Sequence, residues 1–320
     1  WGQGSWKEGA VKTTGMTMRK NYLTNTYNSG SCMSACGRVV KAAGGPYDGQ
    51  EIAGPEYETL GLMGTNLMND DLPTILKSNE LCNRYGLDTI STAGVIGFGM
   101  EAWEQGLLTE KECGDLALEW GDSKVITALI EQIGNRTGVG ELLGQGVRKA
   151  SDDLGPLAKE FAAEVKGLEP PAHDGRAKMT AAIGMATSAR GACHLSGFGH
   201  DFEDGAVLED LGSPALTDRF TKEGKAENVF RMQNLMGVID SAIVCKFPLF
   251  GGLTVDPLIE ALNAVTGWDL DRDEFFRMGE RIFNIKRLYN NRLGISGKDD
   301  TLPLRMLKLK RGGGTSHLPP

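Results

Sequence analysis

The sequence predicts a mainly α protein in two lobes. Three observations carry this. Apolar residues recur at helical spacing in several segments, capping residues stand at the ends of those segments, and alternating strand patterns are scarce. Gly167 and Pro170-Pro171 then interrupt the pattern and set lobes of residues 1–166 and 167–320.

Taken in order, residues 1–30 carry Gly, Thr and Asn with little periodicity and read as loop with short strands or turns. Turning continues through Gly44-Gly45-Pro46 and Gly54-Pro55. Asp70 or Asp71 caps the next helix, with Pro73 in its first turn. Ile75, Leu76, Leu81 and Cys82 form its apolar stripe, and Gly86 ends it. Residues 95–105 form another helix. Thr109 and Glu112 make a capping box that opens a helix to Gly121. Asp122 caps 125–133, closed by Gly134, and 141–150 is a short helix. Residues 161–165 read as a brief strand.

In the second lobe, 177–189 is rich in Ala, Gly, Met and Thr, which suits a helix packed on several sides. Residues 226–245 place Val229, Met232, Leu235, Met236 and Ile239 on one helical face. Asp256-Pro257 starts a helix that Gly267 stops. Residues 271–292 are the longest helix, ended by Gly294; its Arg277, Arg281, Lys286, Arg287 and Arg292 read as a solvated face. Residues 311–320 read as a mobile tail. The sum is about nine helices.

The chain has 320 residues, 40% of them hydrophobic and 24% charged, with net charge −8. That acidity excludes sequence-independent nucleic-acid binding, which needs a basic face. No apolar run approaches the roughly 20 residues of a membrane span. The six cysteines are irregularly spread, unlike a secreted disulfide framework, and fit a reducing compartment, the cytoplasm. The first residues, Trp-Gly-Gln-Gly, lack a start methionine and a signal pattern. Part of a longer protein is the expectation, with processing as the alternative.

Residues 27–38 hold Cys32 and Cys36 on a small-residue loop. With cysteine at Ser29 they would read C-x-x-C-x-x-x-C, an iron–sulfur spacing. Unliganded thiols, or half of a zinc site, fit the spacing too. Zinc wants a second Cys or His pair, and His173, His194, His200 and His317 form no H-x-x-x-H pair. Cys245 is a distant further thiolate. Cys82 and Cys113 sit on apolar helix faces and read as core. Helix capping accounts for Asn83 and Asp88, a solvated loop for Glu58, and a satisfied core histidine for His194.

Six stretches now stand in order: 29–38, Gly-Pro-Glu-Tyr-Glu-Thr at 54–59, Leu-Cys-Asn-Arg-Tyr-Gly-Leu-Asp-Thr-Ile-Ser at 81–91, Ala-Thr-Ser-Ala-Arg-Gly-Ala-Cys-His at 186–194, Asp-Ser-Ala-Ile-Val-Cys at 240–245 and Asp-Thr-Leu-Pro at 300–303. Together they resemble the aldehyde:ferredoxin oxidoreductase family, the tungsten-pterin enzymes. The resemblance covers domains 2 and 3 of that family. It implies two helical domains flanking a bis-pterin tungsten (or molybdenum) and [4Fe–4S] site, with the family's N-terminal β domain missing.

The implied chemistry is oxidation of an aldehyde to a carboxylate, with electrons leaving to ferredoxin or an iron–sulfur subunit. Reduction of aromatic thioesters is the related alternative, and an electron-transfer or scaffold component is another. A homodimer is a candidate assembly. By the resemblance, the cluster ligands map to Ser29, Cys32, Cys36 and Cys245, and Ser29 departs from the family's cysteine. The pterin motif Asp-x-x-Gly-Leu-Asp/Cys maps to Asn83, Gly86, Leu87 and Asp88. A looser copy maps to Asp240, Val244 and Cys245, with Ile243 in place of glycine. Glu58 maps to a general base, Tyr57 to the substrate pocket and His194 to a donor toward the substrate oxygen. His200 is the rival of His194, and Arg190 is implied as a contact for a pterin phosphate. Ser196 replaces a basic residue that the family often has.

Overall fold

The computed structural model describes residues 5–30, 32–42, 47–204 and 218–310. The turn expected at 44–46 and the tail at 311–320 lie outside these residues. The fold is mainly α, with one three-stranded sheet among the described residues. The chain divides into two compact units, with the main break after Ala172.

In the first unit, α1 (Lys7–Ala10) and α2 (Gly15–Tyr22) precede β1 (Leu23–Tyr27). A helix at 15–22 was not expected, because its only buried residue is Met18 and no apolar stripe announces it. Thr14 caps it by accepting the Thr17 N–H. Strand β1 pairs antiparallel with β2 (Gly37–Lys41), which pairs antiparallel with β3 (Glu51–Ala53). The register sets Tyr27 opposite Gly37, so β1 and β2 form a hairpin whose loop carries residues 28–30 and 32–36.

Helices α3 (Tyr57–Met63), α4 (Leu72–Tyr85), α5 (Thr89–Glu104), α6 (Glu110–Cys113), α7 (Ser123–Asn135), α8 (Gly140–Leu143), α9 (Val147–Leu154) and α10 (Pro156–Phe161) complete the unit. Asp71 caps α4 through the Thr74 N–H. Asp88 caps α5, which therefore begins six residues before the expected 95. The Thr109–Glu112 capping box is present, but α6 ends at Cys113, because Gly114 follows in a conformation no helix uses (φ 63°, ψ −135°). Helix α7 runs through Gly134 to Asn135, and Arg136, which follows it, takes the left-handed conformation itself. Two short helices, α8 and α9, stand where one was expected. The expected strand at 161–165 is the end of α10 followed by a single bridge between Val165 and Leu168. Leu62, Met63, Ile75, Leu76, Ile96, Ile126 and Leu129 are buried in one continuous core. Each such aliphatic side chain contributes roughly 1.5–3 kcal/mol by leaving water.

The second unit is built on α11 (Met179–Thr187), α12 (Lys225–Ser241), α13 (Val255–Thr266) and α14 (Arg272–Arg292). Asp271 caps α14, and Gly267 closes α13 in the left-handed region. Met232, Leu235, Met236 and Ile239 of α12 meet Phe275 of α14 in its core. The two helices touch through their backbones: a Cβ on Gly279 would lie 2.1 Å from the Asn234 carbonyl oxygen. Only glycine permits that approach.

One expected role changes here. Arg287 is not on a solvated face. It makes two bonds of 2.7 Å to the Asp300 carboxylate and donates to the Thr187 carbonyl. That pairing raises the Arg287 pKa, since the charged form is the one it stabilises. Asn290, one turn on, donates to the Ala189 carbonyl at 2.6 Å. Residues 187–190 are thus docked onto α14, and Asp300 of the Asp-Thr-Leu-Pro stretch holds the dock.

Candidate functional site

The six cysteines fall into two chemical classes. Cys82, Cys113 and Cys193 are buried, whereas Cys32 is half-buried and Cys36 and Cys245 are exposed. Burial pushes the Cys82 thiol up to about 12 and the Cys113 thiol up to about 11, because a low-dielectric interior disfavours thiolate. Cys32 goes the other way. The backbone N–H of Ser34 donates to its Sγ at 3.4 Å, which lowers its pKa.

Cys32 and Cys36 share the β1–β2 hairpin loop with the exposed Ser29, whose carbonyl accepts the Cys32 N–H at 3.1 Å. The two thiols suit a thiophilic metal group. The Ser29 hydroxyl is a harder, less favoured donor. Gly54 N–H donates to the Arg38 carbonyl at 2.8 Å, and Arg38 pairs with Glu56 at 2.6 Å. Strand β2, which leaves the loop, is thereby fixed to the start of α3.

Helix α3 carries Tyr57, half-exposed, and Glu58, 6% exposed. Glu58 Oε2 accepts the Ala172 N–H at 2.6 Å. A Cβ on Gly61, one turn along α3, would stand only 3.0 Å from the Ala172 Cβ, so its absence lets that segment approach.

Asn83 to Asp88 form the link between α4 and α5. Gly86 takes φ 69°, its N–H donates to the Asn83 carbonyl, and the Leu87 N–H donates to the Cys82 carbonyl at 2.8 Å. Leu87 turns back onto the core, and Asp88 Oδ2 accepts the Ser91 N–H at 2.8 Å. The capping role weighed for Asp88 is realised, and Asn83 and Asp88 both stay exposed.

Asp240 to Cys245 repeat this geometry at the end of α12. The Ile243 N–H donates to the Asp240 carbonyl and the Val244 N–H to the Ile239 carbonyl. Ile243 takes φ 56°, where the first copy has glycine. Asp240 pairs with Lys246 at 2.8 Å.

In the second unit a cavity of about 390 Å³ is lined by Arg190, Cys193, Gln233, Asp240, Lys246 and Lys286, among others. Two residues named from the sequence, Arg190 and Asp240, meet there although 50 positions separate them. A carboxylate, an amide and cations around one hollow are donors and acceptors that fit a polar heterocycle bearing an anionic tail.

His194 is partly buried and stacks on His173 with ring centroids 5.0 Å apart. His173 also lies 4.4 Å from His200, and His194 lies 6.1 Å from it. Burial and its two neighbours push His200 down to about 2, so it is neutral at physiological pH. Three residues on in the chain, the buried Glu203 accepts from Thr180 Oγ1 at 2.6 Å and pairs with the buried Lys225. No signal in the chain announces the histidine cluster, since its histidines form no H-x-x-x-H pair. His317 lies outside the described residues.

A family model described as aldehyde ferredoxin oxidoreductase, domains 2 and 3, matches residues 1–319. The tungsten-containing aldehyde ferredoxin oxidoreductase of Pyrococcus furiosus is 36% identical over 302 residues, covering 93% of this chain and 48% of that protein. The protein of the same name from Thermococcus kodakarensis is 36% identical over 316 residues, covering 97% of this chain and 50% of that protein. Among solved structures, the active site complex BamBC of benzoyl coenzyme A reductase with 1,5-dienoyl-CoA aligns with TM-score 0.73. It covers 93% of this chain and 49% of that chain at 17% identity, a likeness of fold. The chain spans about half the length of the curated relatives it matches. It belongs to the aldehyde ferredoxin oxidoreductase family, through that family's domains 2 and 3.

Proposed function

We propose that the chain is part of a tungsten-pterin oxidoreductase, with molybdenum as the alternative metal. It oxidises an aldehyde to a carboxylate, and the electrons leave through a [4Fe–4S] cluster to ferredoxin or an iron–sulfur subunit. The carrying observation is the division of the cysteines. The thiols that the family pattern assigns to the cluster are the accessible ones, and the others are buried.

A bound metal–pterin group would supply the two-electron acceptor for the aldehyde, and a bound cluster would supply the onward route for those electrons. Cys32, Cys36 and Cys245 supply thiolates, with Ser29 as the odd donor. Asn83, Gly86, Leu87 and Asp88 serve one pterin; Asp240, Val244 and Arg190 serve the other. Glu58, oriented by the Ala172 N–H, takes the proton from the attacking water or hydrated aldehyde. Tyr57 lines the pocket and offers its hydroxyl. His194, steadied by the ring of His173, donates to the substrate oxygen.

Glu58→Gln keeps the acceptor for Ala172 and removes the base. Aldehyde turnover should fall at least a hundredfold, at the lower end of what general-base loss costs, with metal content unchanged. Retained turnover sinks the assignment.

Ser29 favours a second reading, a cluster-impaired electron-transfer or scaffold component of the same fold. Metal and pterin analysis separates the two. Tungsten or molybdenum near one per chain supports the enzyme, iron alone supports the second reading, and no metal sinks both.

A further inference from the structure

Beside the stacked histidines the second unit holds an ion pair that stability alone does not explain. Lys225, the first residue of α12, is 2% exposed and pairs with the Glu203 carboxylate, which is 6% exposed. Taking two charges out of water costs about as much as their attraction returns, so an apolar pair of similar volume holds a fold equally well. What a buried pair adds is direction, since each partner has one place to be. Glu203 and His200 share a 3-10 helix, Gly199–Asp204. Residues three apart on such a helix eclipse one another, so holding Glu203 holds the face that carries His200. Thr180 of α11 holds the same carboxylate through its hydroxyl at 2.6 Å. Gly199 lets the short helix lie against α11, since a Cβ there would stand 3.3 Å from the Thr180 Cβ.

The residue before Gly199 is strained. Phe198 is buried with φ 45°, a conformation that a bulky residue keeps only when its surroundings force it. Its ring meets the His200 ring edge-on at 5.8 Å. His200 in turn lies 4.4 Å from His173, which stacks on His194 at 5.0 Å. Because burial keeps His200 neutral, it sits against two other imidazoles without repelling either when that one is charged.

We propose that Lys225 is a positioning residue for His194, acting through Glu203, His200 and His173. A strained segment, a buried charge pair and a succession of three rings fix one orientation of the His194 imidazole. The inference rests on the aldehyde-oxidising reading only for what that orientation serves, donation to the substrate oxygen.

The test replaces the pair by apolar residues, Glu203→Leu with Lys225→Met, in the purified holoprotein. Melting should stay within about 3 °C of the parent, as when packed apolar groups replace a buried ion pair. Diethyl pyrocarbonate, read by peptide mass mapping, should modify His194 about tenfold faster, because modification follows how often the ring swings free. Aldehyde turnover should lose about tenfold in kcat with KM unchanged, the mark of a group misplaced by less than an ångström. His200→Ala should have the same effects, and adding it to the pair should change nothing more, since links of one chain are not additive. Exchange of the exposed pair on the same helix, Glu227→Gln with Arg231→Met, should leave all three readings as they were.

Faster modification and lost turnover in a protein that melts like the parent support the assignment. Unchanged modification of His194 overturns it, as does an effect that adds to that of His200→Ala. A pair variant that melts far below the parent makes the pair structural and overturns it too. Full turnover despite faster modification keeps the positioning and removes His194 from the reaction. A parent that oxidises no aldehyde sinks the aldehyde-oxidising reading and leaves the modification rates to decide this one.

Discussion

The ends of α4 and α12 carry the same motif on the same backbone, with different side chains. At both, the fourth residue of the motif turns left-handed, and two N–H groups return to the helix's last carbonyls. At Gly86 the turn is free of strain, since glycine has no Cβ to collide. At Ile243 a β-branched residue holds φ 56° with its side chain 92% exposed, so no burial offsets the strain. The sixth residue differs too. Asp88 caps the next helix, whereas Cys245 is exposed and caps none among the described residues. The first copy is used for folding. The second is held at a cost of about 1–2 kcal/mol, as left-handed conformations of L residues are, and strain of this kind concentrates at functional sites.

Breaking the first copy should have the largest effect. Asp88→Ala removes an N-cap and should lower unfolding free energy by about 1 kcal/mol in urea denaturation. A loss under about 0.3 kcal/mol would mean that the cap is idle. Next, the two turn residues should respond with opposite signs. Gly86→Ile adds left-handed strain, partly offset by a stiffer unfolded chain, for a net loss of about 0.5–1 kcal/mol. Ile243→Gly should gain a similar amount. If both substitutions destabilise, strain is not what separates the copies. The smallest effect on stability should come from Cys245→Ala, within about 0.5 kcal/mol of the parent. Iron content of the purified variant should nonetheless fall, and unchanged iron would remove Cys245 from the proposed ligands.

The same contrast explains what the sequence could tell. Local signals were readable: Asp71, one of the two candidates at 70–71, and Asp122 as caps, Gly86 and Gly267 as stops, and the Thr109–Glu112 box all sit where chain-neighbour chemistry puts them. Ile243 was not readable as a left-handed stop, because isoleucine signals no turn. The helix at 15–22 was missed because a mostly exposed helix needs no apolar stripe. For the site, the accessible cysteine class and the buried Cys82 and Cys113 followed from pattern. The histidine cluster, the link from Arg287 to Asp300 and the meeting of Arg190 with Lys286 did not. Each joins residues between 6 and 96 positions apart through packing that no local periodicity encodes.

The backbone contact at Gly279 has a consequence for how this unit can vary. The distance between α12 and α14 is set by a hydrogen atom where every other residue has a carbon, and that distance sets the bore of the cavity beside it. In a saturation scan, Gly279 would tolerate no replacement, while Gly251 and Gly297, whose Cβ would meet open space, would accept many. Substitution of a lining residue such as Lys286 or Ser196 changes which groups face the hollow, whereas a side chain at Gly279 would push apart the two helices that wall it.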